Sequence, residues 1–346
     1  MNRAVTSLVL VVLLLLAADA DAATPEGPRL AISVSDGESS EVITTGPSGE
    51  GPQRLIGGPG ALIGDPLSWS ADGGLLAFTA SGVDSTASGP FGTGWPVVGM
   101  VKMDGSRPHV FPRAFLNAGD PVMAPDGRSV AFQRIKLVKT LPGRESYLFK
   151  SSIWLLNVES GSARRLTRWR LASFFEPISY SSDGSTLVAL HFDRRRLRLV
   201  GINLRSLRSH RLAALSPDTE EPIYSPDESR LAFVRLKVRR FQLPRPDRPI
   251  SELWVARADG RDAKRLLRRN GYISSPSWDP SGSRLSFTHN PPAEATGGLE
   301  PEPGNKVMAI NADGTCLTRV FTDPEITVYG SAWQPGVGRE AGPISC

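Results

Sequence analysis

Four acidic residues each stand directly before the proline that opens a copy of the repeat described below: Asp65-Pro66, Asp120-Pro121, Glu176-Pro177 and Glu221-Pro222. A fifth step of the same kind, Ser275-Pro276, lacks the acid. Carboxylates brought to one place supply hard oxygen ligands for Ca²⁺ or for a cationic group. Each can instead act locally, accepting hydrogen bonds from nearby backbone N–H groups. The other candidates for acid–base or metal chemistry are the 4 histidines, His109, His191, His210 and His289. They fall at non-equivalent places in the repeat described below, as ordinary surface or core histidines would. No Gly-x-Ser-x-Gly nucleophile elbow occurs, and no Gly-rich phosphate loop stands between a strand and a helix. With 2 cysteines and 4 histidines the chain is too poor for a Cys-His metal cluster. No catalytic residue and no cofactor is assigned.

A second kind of chemistry is carried by arginine. Residues 23–133 hold 6 Lys/Arg against 11 Asp/Glu, residues 134–270 hold 29 against 14, and residues 271–346 hold 4 against 8. Three runs concentrate the excess: Arg134-Ile135-Lys136, Arg194-Arg195-Arg196, and Arg235-Leu236-Lys237-Val238-Arg239-Arg240. A positive field between two negative flanks favours polyanions such as anionic wall polymers, lipid head groups or nucleic acid. The chain uses 33 Arg and 7 Lys, so arginine also reads as its default solvated surface residue. No feature specifies a nucleic acid.

The N-terminus reads as an export signal. Arg3 precedes the apolar stretch 4–18, and Ala18-Asp19-Ala20 and Ala20-Asp21-Ala22 are small-x-small cleavage sites. The stretch is shorter than the ~20 residues of a membrane span, although an uncleaved anchor is the alternative. No cysteine follows the cleavage region to carry a lipid, and no other long apolar run exists. The expectation is a signal peptide at 1–22 and a mature chain without a transmembrane segment, secreted or in the cell envelope or periplasm. In such an oxidising compartment Cys316 and Cys346 could pair; two unrelated thiols are the alternative.

The elements that must position these residues come from a repeat. Pro66-Leu67-Ser68-Trp69-Ser70-Ala71-Asp72-Gly73, closing on Ala77-Phe78, returns from Pro121, Pro177, Pro222 and Pro276 at spacings of 55, 56, 45 and 54 residues. A truncated copy, Ala332-Trp333-Gln334-Pro335-Gly336, comes last. A period near 50 with turn signals inside each unit indicates propeller blades or another stacked array. In the unit from Pro121, Pro125-Asp126-Gly127 is a tight turn between two short strands, and Ser152–Val158 and Arg164–Thr167 read as a third and fourth strand. Residues 30–56 supply strands two to four of one further blade, and Ser331-Ala332-Trp333 supplies its missing first strand. The fold class is therefore all-β: a six-bladed β-propeller of four-stranded antiparallel blades, closed by its terminal strands. It spans residues 23–336, with a tail at 337–346. The large residues Trp69, Met123, Tyr180, Tyr224 and Trp278, and Phe78, Phe132, Phe233 and Phe287, are expected to pack blade on blade. A ring of ligand-stacking aromatics is the weaker alternative.

Ser225-Pro226-Asp227, Ala131-Phe132, Leu253-Trp254, Asp259-Gly260 and Arg165-Leu166-Thr167 resemble the repeat of the TolB-like family of six-bladed propellers, a WD40-like repeat. The resemblance covers about residues 28–336. It implies protein binding as the default role. Asp227-Glu228 and Ser281-Gly282 depart from the usual Asp-Gly turn. The expectation is that the chain does not carry the extra N-terminal domain of the Gram-negative envelope member. The expected function is an exported, noncatalytic, monomeric binding or scaffold module. Its partner is an unidentified protein or anionic polymer, met on rim loops through Arg134, Lys136, Arg194, Arg195, Arg196, Arg235, Lys237, Arg239 and Arg240. The alternative is an extracellular lyase or hydrolase acting on a carbohydrate or peptide in the central channel, with Asp65, Asp120, Glu176 and Glu221 at its mouth.

Overall fold

The computed structural model describes residues 27–58, 62–81, 88–89, 92–93, 96–111, 117–140, 147–168, 170–171, 173–193, 196–237, 249–292, 305–336 and 342–346. All regular structure among them is β. Six antiparallel sheets follow one another around a ring, five with their strands in sequence order and one joining the two ends of the chain. Blade 1 pairs Thr327–Trp333 with Leu30–Ser35, Ser40–Thr45 and Gln53–Gly57, so the two ends of the chain share one sheet. Blade 2 holds Leu62–Trp69, Leu75–Ser81, Pro96–Lys102 and His109–Val110. Blade 3 holds Ala118–Met123, Ser129–Thr140, Tyr147–Asn157 and Ala163–Arg165, with the short Arg170–Leu171 added to its third strand. Blade 4 holds Ser173–Tyr180, Thr186–Asp193, Arg196–Asn203 and Ser209–Leu215. Blade 5 holds Thr219–Tyr224, Arg230–Leu236, Ile250–Arg257 and Lys264–Asn270. Blade 6 holds Tyr272–Trp278, Arg284–Asn290, Lys306–Asn311 and Thr318–Thr322. Each first strand touches the first strands of both neighbouring blades, which makes these six strands the inner wall of the ring.

The core sits between blades. Six apolar clusters each draw on two adjacent sheets, because a strand's alternate side chains face opposite neighbours. Phe78, Phe132, Phe233 and Phe287 are at most 2 % exposed, and Trp69, Trp278 and Trp333 at most 7 %. These aromatics therefore pack as the repeat predicts. Gly99 makes room for one of them, since a Cβ there would stand 2.3 Å from the Phe78 ring. Inner strands are also tied directly. The indole N–H of Trp69 donates to Ala332 O, and that of Trp278 to Ile223 O, both at 3.2 Å. The ring closure carries its own clasp: Gln334 Nε2 donates to Gly73 O of blade 2 at 2.8 Å, and its backbone N–H donates to Arg29 O at 2.8 Å.

Hairpin turns at the far end of the first strands share one device. Ser70, Ser181 and Ser225 donate their hydroxyls to Asp72, Asp183 and Asp227 at 2.5–2.6 Å. Those hydrogen bonds, above all, hold the three carboxyls below their usual range, Asp227 at about 2. The two sequence departures keep the device. In blade 6 the partners exchange places, with Ser281 donating to Asp279 at 2.7 Å. In blade 5 Glu228 takes the glycine's left-handed φ of 58° and accepts from Ser182 N–H of blade 4 at 2.6 Å. Cys316, between the third and fourth strands of blade 6, is bonded to Cys346 of the tail with their Cα atoms 5.3 Å apart. Ile344 exchanges two hydrogen bonds with Asn311, which fixes the tail to blade 6.

Candidate functional site

Proline has no N–H to give to a ladder, so an acid–proline step disturbs regular pairing. Every first strand bulges at this place or just beyond it. Its register with the second strand shifts between Gly64 and Ser68, Gly119 and Val122, Pro177 and Ser179, Glu220 and Ile223, and Ser274 and Ser277, and beside Gly330 in blade 1. Asp120, Glu221 and Ser275 take positive φ of 53°, 48° and 51°, a costly region for residues with a Cβ. The Asp65–Pro66 bond is cis. The bulge turns these residues away from the ladder at the start of the inner wall.

Three of them meet. Ser275 of blade 6 donates its hydroxyl to Asp65 Oδ2 of blade 2 at 2.5 Å, reaching past blade 1. The backbone N–H of Ser275 donates to Glu221 Oε2 of blade 5. Gly330 of blade 1 lies under the Asp65 carboxylate, where a Cβ would stand 2.2 Å from Oδ1. Burial pushes the Asp65 carboxyl up, against the hydrogen bonds from Ser275 and Leu67 N–H. The missing fifth acid thus has a physical reason: Ser275 supplies donors to two carboxylates where an acid would repel both. Asp120 holds the same step in blade 3 and has a partner of its own, and Glu176 holds it in blade 4.

The opposite end of the inner wall has another character. Ala71, Pro226, Pro280 and Pro335, equivalent turn residues of four blades, ring a cavity of about 280 Å³ with Trp278 and Trp333. Arg230 lies over the Trp278 ring at 4.8 Å and Arg284 over Trp333 at 4.5 Å. Each arginine opens a second strand and stacks on the first-strand tryptophan of the next blade. Part of the arginine excess is therefore architectural.

On the rim, Arg134 and Arg235 occupy equivalent places, two residues beyond Phe132 and Phe233. Their guanidinium groups lie 5.1 Å from the Trp154 ring and 4.4 Å from the Trp254 ring. Such stacking fixes a cation without neutralising it. Lys136 is exposed, and Lys237 stands 3.5 Å from Glu252. Arg196 opens the third strand of blade 4. Arg194, Arg195, Arg239 and Arg240 lie outside the described residues. Sequence reasoning missed Arg265 and Arg268 on the fourth strand of blade 5, both within 4.0 Å of Glu252.

The histidines do not converge. His109 and His210 are exposed on outermost strands of blades 2 and 4. His191 is buried on blade 4, and His289 on blade 6 faces Asn270 O at 2.9 Å. Among the described residues no group of three or more His, Cys, Asp or Glu is placed to hold a metal ion.

No family profile matches this sequence, and no curated protein matches it. Solved structures do match. TolB from Acinetobacter baumannii superposes with a TM-score of 0.65 at 14 % identity, over 89 % of this chain and 67 % of that one. The chain has the TolB-like propeller fold. A putative TolB from Agrobacterium tumefaciens gives 0.58 at 19 % identity over 89 % and 99 % of the two chains. A chain of a nidogen/laminin complex gives 0.59 at 12 % identity over 90 % and 99 %. At these identities the likeness is one of architecture, and function has to be argued from this chain's own residues.

Proposed function

We propose that this chain is an exported, noncatalytic binding or scaffold module that meets an acidic protein or an anionic polymer on the rim of blades 3 to 5. The observation that carries the reading is the pair of rim stacks. Arg134 on Trp154 and Arg235 on Trp254 hold guanidinium groups at equivalent places on two blades, and Lys136 and Lys237 follow two residues on. Stacked arginines lose little further freedom on binding, so their charge is presented at low entropic cost. The six-bladed ring supports the same role by offering a rigid, edge-free scaffold for loops. The Cys316–Cys346 bond agrees with an oxidising compartment outside the cytoplasm.

The test is capture of partners from the cell-envelope fraction by the mature chain, at low salt and at ~0.5 M, where screening falls to a few ångströms. The reading expects a partner held at low salt and released at high salt. A partner that survives high salt would contradict it and move attention to the channel and blade faces.

A further inference from the structure

The rim of blade 5 holds more cations than its own carboxylate can balance. Glu252 has a side chain only 3 % exposed, yet one of its oxygens serves three cations. Arg265 Nη1 lies 3.0 Å from Oε1, Lys237 Nζ 3.5 Å and Arg268 Nε 4.0 Å. The other oxygen accepts the indole N–H of Trp254 at 3.2 Å, and the Arg235 guanidinium lies over that same indole at 4.4 Å. Burial alone would raise the Glu252 carboxyl, but the Arg265 hydrogen bond and the Lys237 charge outweigh it and hold the group ionised. The three cationic side chains stay about half exposed, at 50 %, 47 % and 51 %.

Register explains how they gather. Arg235, Glu252 and Arg268 are direct cross-strand partners and share one face. Arg265 and Arg268 are three apart and would alternate to opposite faces of a regular strand. A bulge opposite Leu253 and Trp254 shifts the register and brings Arg265 round to the same carboxylate. Blade 3 has the same arginine-on-tryptophan pair, but there Ser152 stands at the Glu252 position and accepts the indole N–H. Blade 5 alone of the two adds the carboxylate and the cations it collects.

We propose, building on the rim reading above, that Lys237, Arg265 and Arg268 form an oxyanion niche for phosphate or sulfate groups borne on an anionic polymer, with Glu252 as its positioning residue. Three cations gathered about one point match a tetrahedral oxyanion that offers an oxygen to each, while Glu252 already fills the place of a carboxylate.

The test uses the full mature chain on immobilised long-chain polyphosphate and heparin, with calorimetric titration of inorganic phosphate and sulfate. Arg265→Ser with Arg268→Ser should weaken polymer binding by at least about tenfold at ~50 mM salt. Arg268→Ser alone leaves two cations on Glu252, and should weaken binding by roughly threefold; it serves if the double variant does not fold. Unchanged retention of both variants, with loss in Arg134→Glu plus Lys136→Glu, overturns the niche and leaves the rim reading standing. No retention of the parent on either polymer also overturns the niche, and the envelope capture then judges the rim by itself. Free phosphate bound as tightly as polymer-borne phosphate overturns the polymer assignment.

Discussion

At the start of the inner wall and on the rim of blade 5, the fold handles charge in opposite ways. In the first region two acids meet one residue and are answered from within: Ser275 gives its hydroxyl to Asp65 and its N–H to Glu221, and a serine stands where a further acid would have crowded both. In the second region cations converge, and three of them share one oxygen of Glu252. The difference separates charge that builds the ring from charge left over for a partner. Burial makes the first kind expensive unless it is satisfied. Half-exposed side chains can carry the second kind at little cost, because water and salt screen them until something binds.

Substitutions at the acid end should break that contrast most sharply. Ser275→Asp would set a third carboxylate beside two others, at a cost of about 4 kcal/mol for like charges ~4 Å apart at the effective dielectric of a protein surface. Urea unfolding at pH 7 should show the loss, and it should shrink toward pH 4 as carboxyls protonate. Gly330→Ala comes next, because its Cβ would overlap the Asp65 carboxylate; overpacking of this kind costs about 1–3 kcal/mol. Envelope capture should be unchanged in both variants as long as they fold.

Two aspartates, one within a first strand and one in the turn after another, give a smaller effect with opposite signs. Asp65 is raised by burial, so the folded state binds its proton more tightly than the unfolded chain does, and stability falls as pH rises above ~4. Asp65→Asn should therefore melt higher than the parent at pH 7, with the gap closing below pH ~4. Asp227 is lowered to about 2 by the Ser225 and Ser229 hydroxyls, so its contribution is present at neutral pH and lost as pH falls from ~4 through about 2. Asp227→Asn should melt lower at pH 7, by less than about 1 kcal/mol because the turn is well solvated, and match the parent near pH 2. Thermal melts across pH 2–7 check both signs.

The blades were legible because their signals are local. A proline, a large residue, a turn and a phenylalanine recur within about a dozen positions, and the unequal ends of the chain complete one blade. The charge clusters were not, because bulges decide them. The acid–proline steps are plain in the sequence, but only the turned backbone shows that Ser275 reaches Asp65 past a whole blade. Arg265 and Arg268 were overlooked because strict alternation puts residues three apart on opposite faces, and Leu266 breaks that alternation. Glu252 looked like any strand acid until the register set it opposite Arg235 and Arg268. Ser281-Gly282 departs from the Asp-Gly turn in sequence, yet its hydrogen bond to Asp279 keeps the device.

The most direct test of the account measures the salt concentration at which captured envelope material is released, for the parent, for Arg134→Glu with Lys136→Glu, and for Asp65→Asn. If excess rim charge makes the contact, the rim variant releases at clearly lower salt and Asp65→Asn releases with the parent. If Asp65→Asn shifts release while the rim variant does not, the contact belongs to the channel and the account is wrong.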